Sequence, residues 1–125
     1  MSAVVLTAGT ATATPAAVAH KQNLTLTNDA NGQAVAARAG DDITVRLVGK
    51  QADGETWMWS TPTAGDDEVL RKTTSSVDAK GDASAVFHVQ SGGTTTLASQ
   101  MRCVSGPGQA CPHAVMPWRV TVTAQ

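Results

Sequence analysis

Aromatic side chains are scarce in this chain. Tyrosine is absent, and Trp57, Trp59, Trp118 and Phe87 are the whole set of large rings. Any core must therefore be built from Val, Leu, Ile and Ala around four anchors. Charge is sparse too, at 15% of residues, and nearly balanced, with a formal net of −1. That balance gives no basic face for nucleic acid or for an anionic membrane surface. No apolar run approaches the roughly twenty residues that cross a bilayer as a helix, so no transmembrane segment is expected. Cysteine is limited to Cys103 and Cys111. Two cysteines exclude a four-thiolate zinc site, and their spacing is not that of a CxxC pair. Capped helical stripes are also missing, and without helices between strands a parallel α/β sheet has no crossovers.

What remains is enough for one domain. Hydrophobic residues make up 42% of 125, which can bury a core. The first segment stands apart. Residues 1–19 carry no charge, are mostly Ala, Thr and Val, and end in Ala17-Val18-Ala19. Small residues at that position suit signal peptidase, and Val4-Val5-Leu6 fits the tail of an apolar region, although a basic start is missing. The segment reads either as a remnant signal sequence or as a disordered Ala/Thr tail. On both readings the folded domain is residues 20–125.

From His20 onward the period is two. Leu24 and Leu26 alternate with Thr25 and Thr27, and Asn28-Asp29-Ala30-Asn31-Gly32 turns the chain. Val35 lies in a short second piece. Ile43, Val45 and Leu47 form the clearest strand. Trp57 and Trp59 follow a polar loop at strand spacing and point to one face, where one of them serves as central aromatic of a sandwich. Val69-Leu70 begins a short edge element, and Thr73 to Asp82 reads as a polar loop. Ala85, Phe87 and Val89, then Leu97, Ser99 and Met101, then Trp118, Val120 and Val122 complete the alternation. The pattern predicts an all-β, immunoglobulin-like antiparallel β-sandwich of about seven strands, with Trp57, Phe87 and Trp118 in its core.

Cys103 and Cys111 bracket Val-Ser-Gly-Pro-Gly-Gln-Ala, a turn-rich insert. A disulfide there would close a short loop and stabilise the fold by about 2–3 kcal/mol. It requires an oxidising compartment; the other reading is a pair of reduced cytosolic thiols. Signals for catalysis are weak. His20, His88 and His113 lack metal spacing, so no metal or cofactor is expected. GxSxG, HExxH and P-loop motifs are absent. A Cys103–His113 catalytic pair competes with the simpler Cys103–Cys111 pairing. Asp66-Asp67-Glu68 lacks EF-hand spacing and reads as a solvated acidic loop.

The segment from about Leu24 to Ala124 resembles the chagasin-like family, small immunoglobulin-fold inhibitors of papain-like cysteine proteases. That family has a strand ending in Leu, an Asn-Pro-Thr-Thr-Gly-Phe loop and then a buried Trp. Here Leu47 is followed by Val48 to Thr56 and then Trp57, with Gly54 on the motif glycine. A Gly-rich loop before Phe-His-Val is matched by Lys80-Gly81-Asp82 ahead of Phe87-His88-Val89. The family's Arg-Pro-Trp is matched by Arg102 alone, followed by Cys103 and then Val104 where Trp would fall. Ala52-Asp53 stands in place of Thr-Thr, and Glu55 in place of the apolar residue after the glycine. Both acids would need desolvation in a protease cleft, which is costly unless they are paired.

The resemblance implies a secreted or cell-envelope protein that is not an enzyme. Its expected contacts are Lys50, Gln51, Ala52, Asp53, Gly54 and Glu55 in the first loop, Lys80, Gly81 and Asp82 in the second, and Arg102 and Val104 in the third. The implied partner is a papain-like cysteine protease, met by a monomer whose end loops wedge into the cleft. The competing reading is a binding or adhesion module that keeps the fold, has no inhibitory loops and meets another envelope protein.

Overall fold

The computed structural model describes residues 21–52, 54–105 and 111–125. Residues 1–20, which include the expected signal segment, lie outside the described residues, as do Asp53 and residues 106–110.

Alternation decides the architecture. Ile43, Val45 and Leu47 of β3 (Asp42–Leu47) and Ala83, Ala85, Phe87 and Val89 of β8 (Ala83–Val89) all turn inward and are buried. Leu97, Ser99 and Met101 of β9 (Gly93–Ser105) and Trp118, Val120 and Val122 of β10 (Val115–Ala124) meet them from the opposing sheet. Each strand is thus apolar on one side and polar on the other, the condition for two stacked sheets. The indole of Trp118 is 1% exposed, and its Nε1–H donates to the Thr27 carbonyl at 3.0 Å, which satisfies the one polar atom it buries.

One sheet runs β1–β3–β8–β7, with β1 at Asn23–Leu26 and β7 at Leu70–Val77. The other runs β2–β10–β9–β5–β4, with β2 at Ala34–Ala37, β4 at Lys50–Ala52 and β5 at Glu55–Trp59. The two-residue β6 (Thr63–Ala64) also pairs with β9. The expected all-β sandwich is present, with two differences in detail. Both sheets are mixed, because β1 pairs parallel with β3 and β2 parallel with β10. The described residues form ten strands where about seven were expected. The first strand is divided by a 3-10 turn at Asn28–Ala30 so that its halves join different sheets, and the short β4 and β6 carry no alternation.

Thr73 to Val77 is strand, where a loop was expected. It forms the exposed part of an edge strand, and polarity on both faces erases the period-two signal. Arg71, Lys72 and a bulge between Lys72 and Thr74 guard this edge against pairing with another chain.

Trp57 corrects a second expectation. Trp59 is the buried indole of the pair, at 7% exposed, with its Nε1–H on the Val48 carbonyl at 2.9 Å. Trp57 is half-buried and packs on the margin of the core. Sheet pairing explains this. β3 ends at Leu47 and β8 begins at Ala83, so the first sheet has no strand left to cover Trp57.

Candidate functional site

The second sheet outruns the first at one end. Trp59 donates its backbone N–H to the Gly81 carbonyl at 3.0 Å, level with the turn that joins β7 to β8. Beyond that point β4, β5 and β9 continue as a three-stranded tongue, in which Lys50 faces Trp57 and Glu55 faces Ser105. At about 3.3 Å per residue, Glu55 lies roughly 13 Å past Trp59. Gly54, with φ +80°, makes the hairpin turn at the tip, a conformation that glycine adopts without strain.

The β7–β8 turn is held against the root of this tongue. Asp78 Oδ1 accepts the N–H groups of Lys80 (2.9 Å) and Asp82 (3.1 Å). Gly81 then takes φ +94° and packs so closely that a Cβ there would sit 2.4 Å from the Trp57 carbonyl oxygen. Gly49 meets it from the other side, where a Cβ would lie 2.6 Å from the Gly81 carbonyl carbon. Asp82 Oδ1 accepts the Gly49 N–H at 2.8 Å. Asn28 adds a two-way clamp, accepting the Val48 N–H at 2.8 Å and donating to the Val48 carbonyl at 3.1 Å. The β3–β4 crossing, the β7–β8 turn and the hairpin root thus form one packed platform.

The third loop leaves β9 beside the tongue. Cys103 and Cys111 form a disulfide with Cα atoms 5.8 Å apart. Neither sulfur is free to act as a nucleophile, which removes the Cys103–His113 catalytic pair. The bridge, with Arg102, Pro112, His113 and Val115, lines a concavity of about 340 Å³. A second hollow of about 260 Å³ lies on the flank, between Arg46, Val48, Asp78 and Asp82.

The described residues of all three predicted loops therefore gather at one end of the sandwich, though they divide in kind. Lys50, Gln51, Ala52, Gly54 and Lys80 are exposed and free to meet a partner. Arg102 and Val104 are exposed as well, but register puts them with Met58 and Thr56 on the outer face of the tongue. Gly81 is buried and Asp82 is occupied by Gly49, so these two shape the platform. Glu55 is half-buried and turned to the same face as Trp57 and Cys103. Asp53 lies outside the described residues.

Gly49 and Asp78 were not foreseen. Asp78 was legible in part, because Asp followed three positions later by Gly is a turn signature. Nothing in the sequence pointed to Gly49, whose constraint comes from a residue in another loop.

Elsewhere, Asp42 on the outer face of the first sheet sits 2.9 Å from His88 Nδ1 and 3.0 Å from Lys21 Nζ. The hydrogen bond from His88, and then that from Lys21, hold its carboxyl below the usual carboxylate range. No helix among the described residues is long and apolar enough to cross a membrane.

No protein-family model matches this chain. No curated protein matches it either. Among solved structures, a cysteine protease inhibitor from Entamoeba histolytica superposes with a TM-score of 0.59 at 14% identity, covering 86% of this chain and all of the inhibitor. A solution structure of Amebosin gives 0.49 at 15% identity over 86% of this chain and all of that one. A structure of PbICP-C in complex with falcipain-2 gives 0.47 at 12% identity, covering 89% and 96%. At such identities the first likeness establishes a shared fold: this chain is built as the Entamoeba inhibitor is built.

Proposed function

We propose that this protein is a secreted, non-enzymatic inhibitor of papain-like cysteine proteases that acts through the tongue end of its sandwich. One observation carries the reading. Three connections far apart in sequence converge on a single end, over a platform packed too tightly to yield. A protruding edge of that kind can fill a substrate groove and exclude water from the catalytic thiol without presenting a peptide bond for cleavage. Stiffness at the base limits the ordering cost of binding. A standard interface of about 1,200–2,000 Å² is within reach of such a surface. The shared fold with the Entamoeba inhibitor and the resemblance of the Leu47–Trp57 segment to chagasin-like proteins agree with this reading.

The test is a titration of several papain-like proteases with the purified chain. Inhibition that saturates at one-to-one stoichiometry is expected. Replacing Lys50, Gln51 and Lys80 together by Ala should weaken it by about tenfold without moving the thermal midpoint. No inhibition of any such protease at micromolar concentration rejects the proposal.

A second reading, an envelope binding module without inhibitory activity, is favoured by Glu55 and Val104. Glu55 puts a carboxylate, turned toward the disulfide, where the family carries an apolar residue, and Val104 offers only a small exposed side chain on the outer face where the family carries a Trp ring. Capture of a non-protease envelope protein, still bound by the triple variant, would select this reading.

A further inference from the structure

Glu55 is a half-buried carboxylate with no hydrogen-bonding or charged partner among the described residues. What it faces instead is sulfur. One of its oxygens and both bridge sulfurs lie within 4.8 Å of one another. This follows from register: Glu55 pairs with Ser105, so Cys103 is its diagonal neighbour on the same face. His113 lies two residues beyond Cys111 and lines the same concavity as both cysteines. Two sulfurs and a carboxylate supply three donors for a borderline-soft divalent ion, and the exposed His113, which stands outside that 4.8 Å group, is the nearest imidazole along the chain to swing in as the fourth.

We propose that reduction of the Cys103–Cys111 bridge creates a zinc site whose ligands are Cys103, Cys111, Glu55 and His113. A dithiol reductant supplies the two electrons and two protons, its own sulfurs joining as the Cys103–Cys111 bond breaks. Zinc then displaces both thiol protons to solvent and is held by two thiolates, the carboxylate and a neutral imidazole, so the site's four donors offset the dication's charge by three. The freed sulfurs part to roughly 3.8 Å, the spacing that zinc–sulfur bonds of about 2.3 Å require. Metal binding replaces one cross-link with a wider one. The disulfide joins β9 to the connection that follows it, whereas the metal also ties in the hairpin through Glu55. The inference stands independently of protease inhibition, since metal binding itself is what is measured.

The test uses the full chain, reduced, freed of reductant under nitrogen and titrated with cobalt(II) as a spectroscopic probe for zinc. Expected are one equivalent bound, thiolate-to-cobalt charge-transfer absorption and the intense visible bands of tetrahedral cobalt, all bleached by zinc. Glu55→Gln and His113→Ala should each weaken cobalt binding by at least about tenfold. The oxidised chain should give none of these bands. Absence of charge-transfer absorption from the reduced chain, six-coordinate cobalt, or equal affinity in both variants overturns the proposal. If reduction alone unfolds the domain, zinc should restore its β-sheet dichroism; failure to do so also overturns it.

Discussion

The two ends of the sandwich solve the same problem differently. At the end away from the tongue, one residue joins three segments. Asp41 is 3% exposed and accepts the N–H groups of Gln22 (3.0 Å) and Arg38 (2.9 Å), while its backbone carbonyl accepts the Val89 N–H (2.9 Å). The chain turns there with little protruding. At the tongue end the closest contacts are backbone against backbone, made possible by Gly49 and Gly81, and the strands run on into solvent. Side-chain hydrogen bonds support both ends, but only the tongue end also depends on two positions that carry no side chain at all. A carboxylate whose two oxygens each accept a backbone N–H tolerates no loss of either oxygen, whereas a glycine contact tolerates no added atom. Beyond this platform Lys50, Gln51, Ala52 and Lys80 stay exposed, which suits an end that meets partners.

Substitutions can break this contrast. The largest effect is expected at Trp59, which supports the tongue from below. Trp59→Ala should cost about 3–5 kcal/mol, read as a lowered denaturant midpoint. Gly81→Ala comes next, at about 2–3 kcal/mol, because the new Cβ meets the Trp57 carbonyl oxygen and the φ of +94° is strained for alanine. Its mark should be local: amide exchange should rise in β4 and β5 and stay unchanged around Asp41. Loss spread evenly over both ends would show that the platform is not a separate unit. Asp41→Ala should cost about 1–3 kcal/mol by orphaning two backbone donors, with the converse exchange pattern.

The smallest effect is that of pH at Asp42. Its folded pKa is depressed, so its contribution is complete above the ordinary carboxylate value near 4 and is lost as pH falls through the lower, folded value. Solvent screening limits it to less than about 1 kcal/mol. Asp42→Asn should flatten stability against pH in that acidic window alone, as followed by thermal midpoints from pH 2 to about 6.

How far these features could be read in advance depends on whether they are one-dimensional. Alternation gave Ile43, Val45 and Leu47 their inward face, and with it the sandwich, because burial on one side is written into every second residue. It also put Trp57 and Trp59 on one face but could not say where the opposite sheet stops, and that boundary decides which indole is buried. β7 was hidden because Thr73 to Val77 face water on both sides. The polar loop ending in Gly54 and the Gly-rich Lys80-Gly81-Asp82 segment were visible as loop chemistry, whereas the part of Asp78 in the second was not foreseen. The Gly49–Gly81 contact and the placement of Glu55 beside the bridge depend on pairings between distant strands, which no local pattern contains.

The division of the first strand between two sheets has a consequence for the order of events in folding. Among the described residues, β2 pairs only with β10, the strand farthest along the chain. Until that strand exists, Ala34–Ala37 presents bare peptide groups, and the second sheet has an open seam along β9 as well. Closure therefore waits for segments far apart along the chain to meet, a slow step that local structure cannot hasten. During synthesis the domain should remain open, and in need of protection from its neighbours, until β10 has left the ribosome.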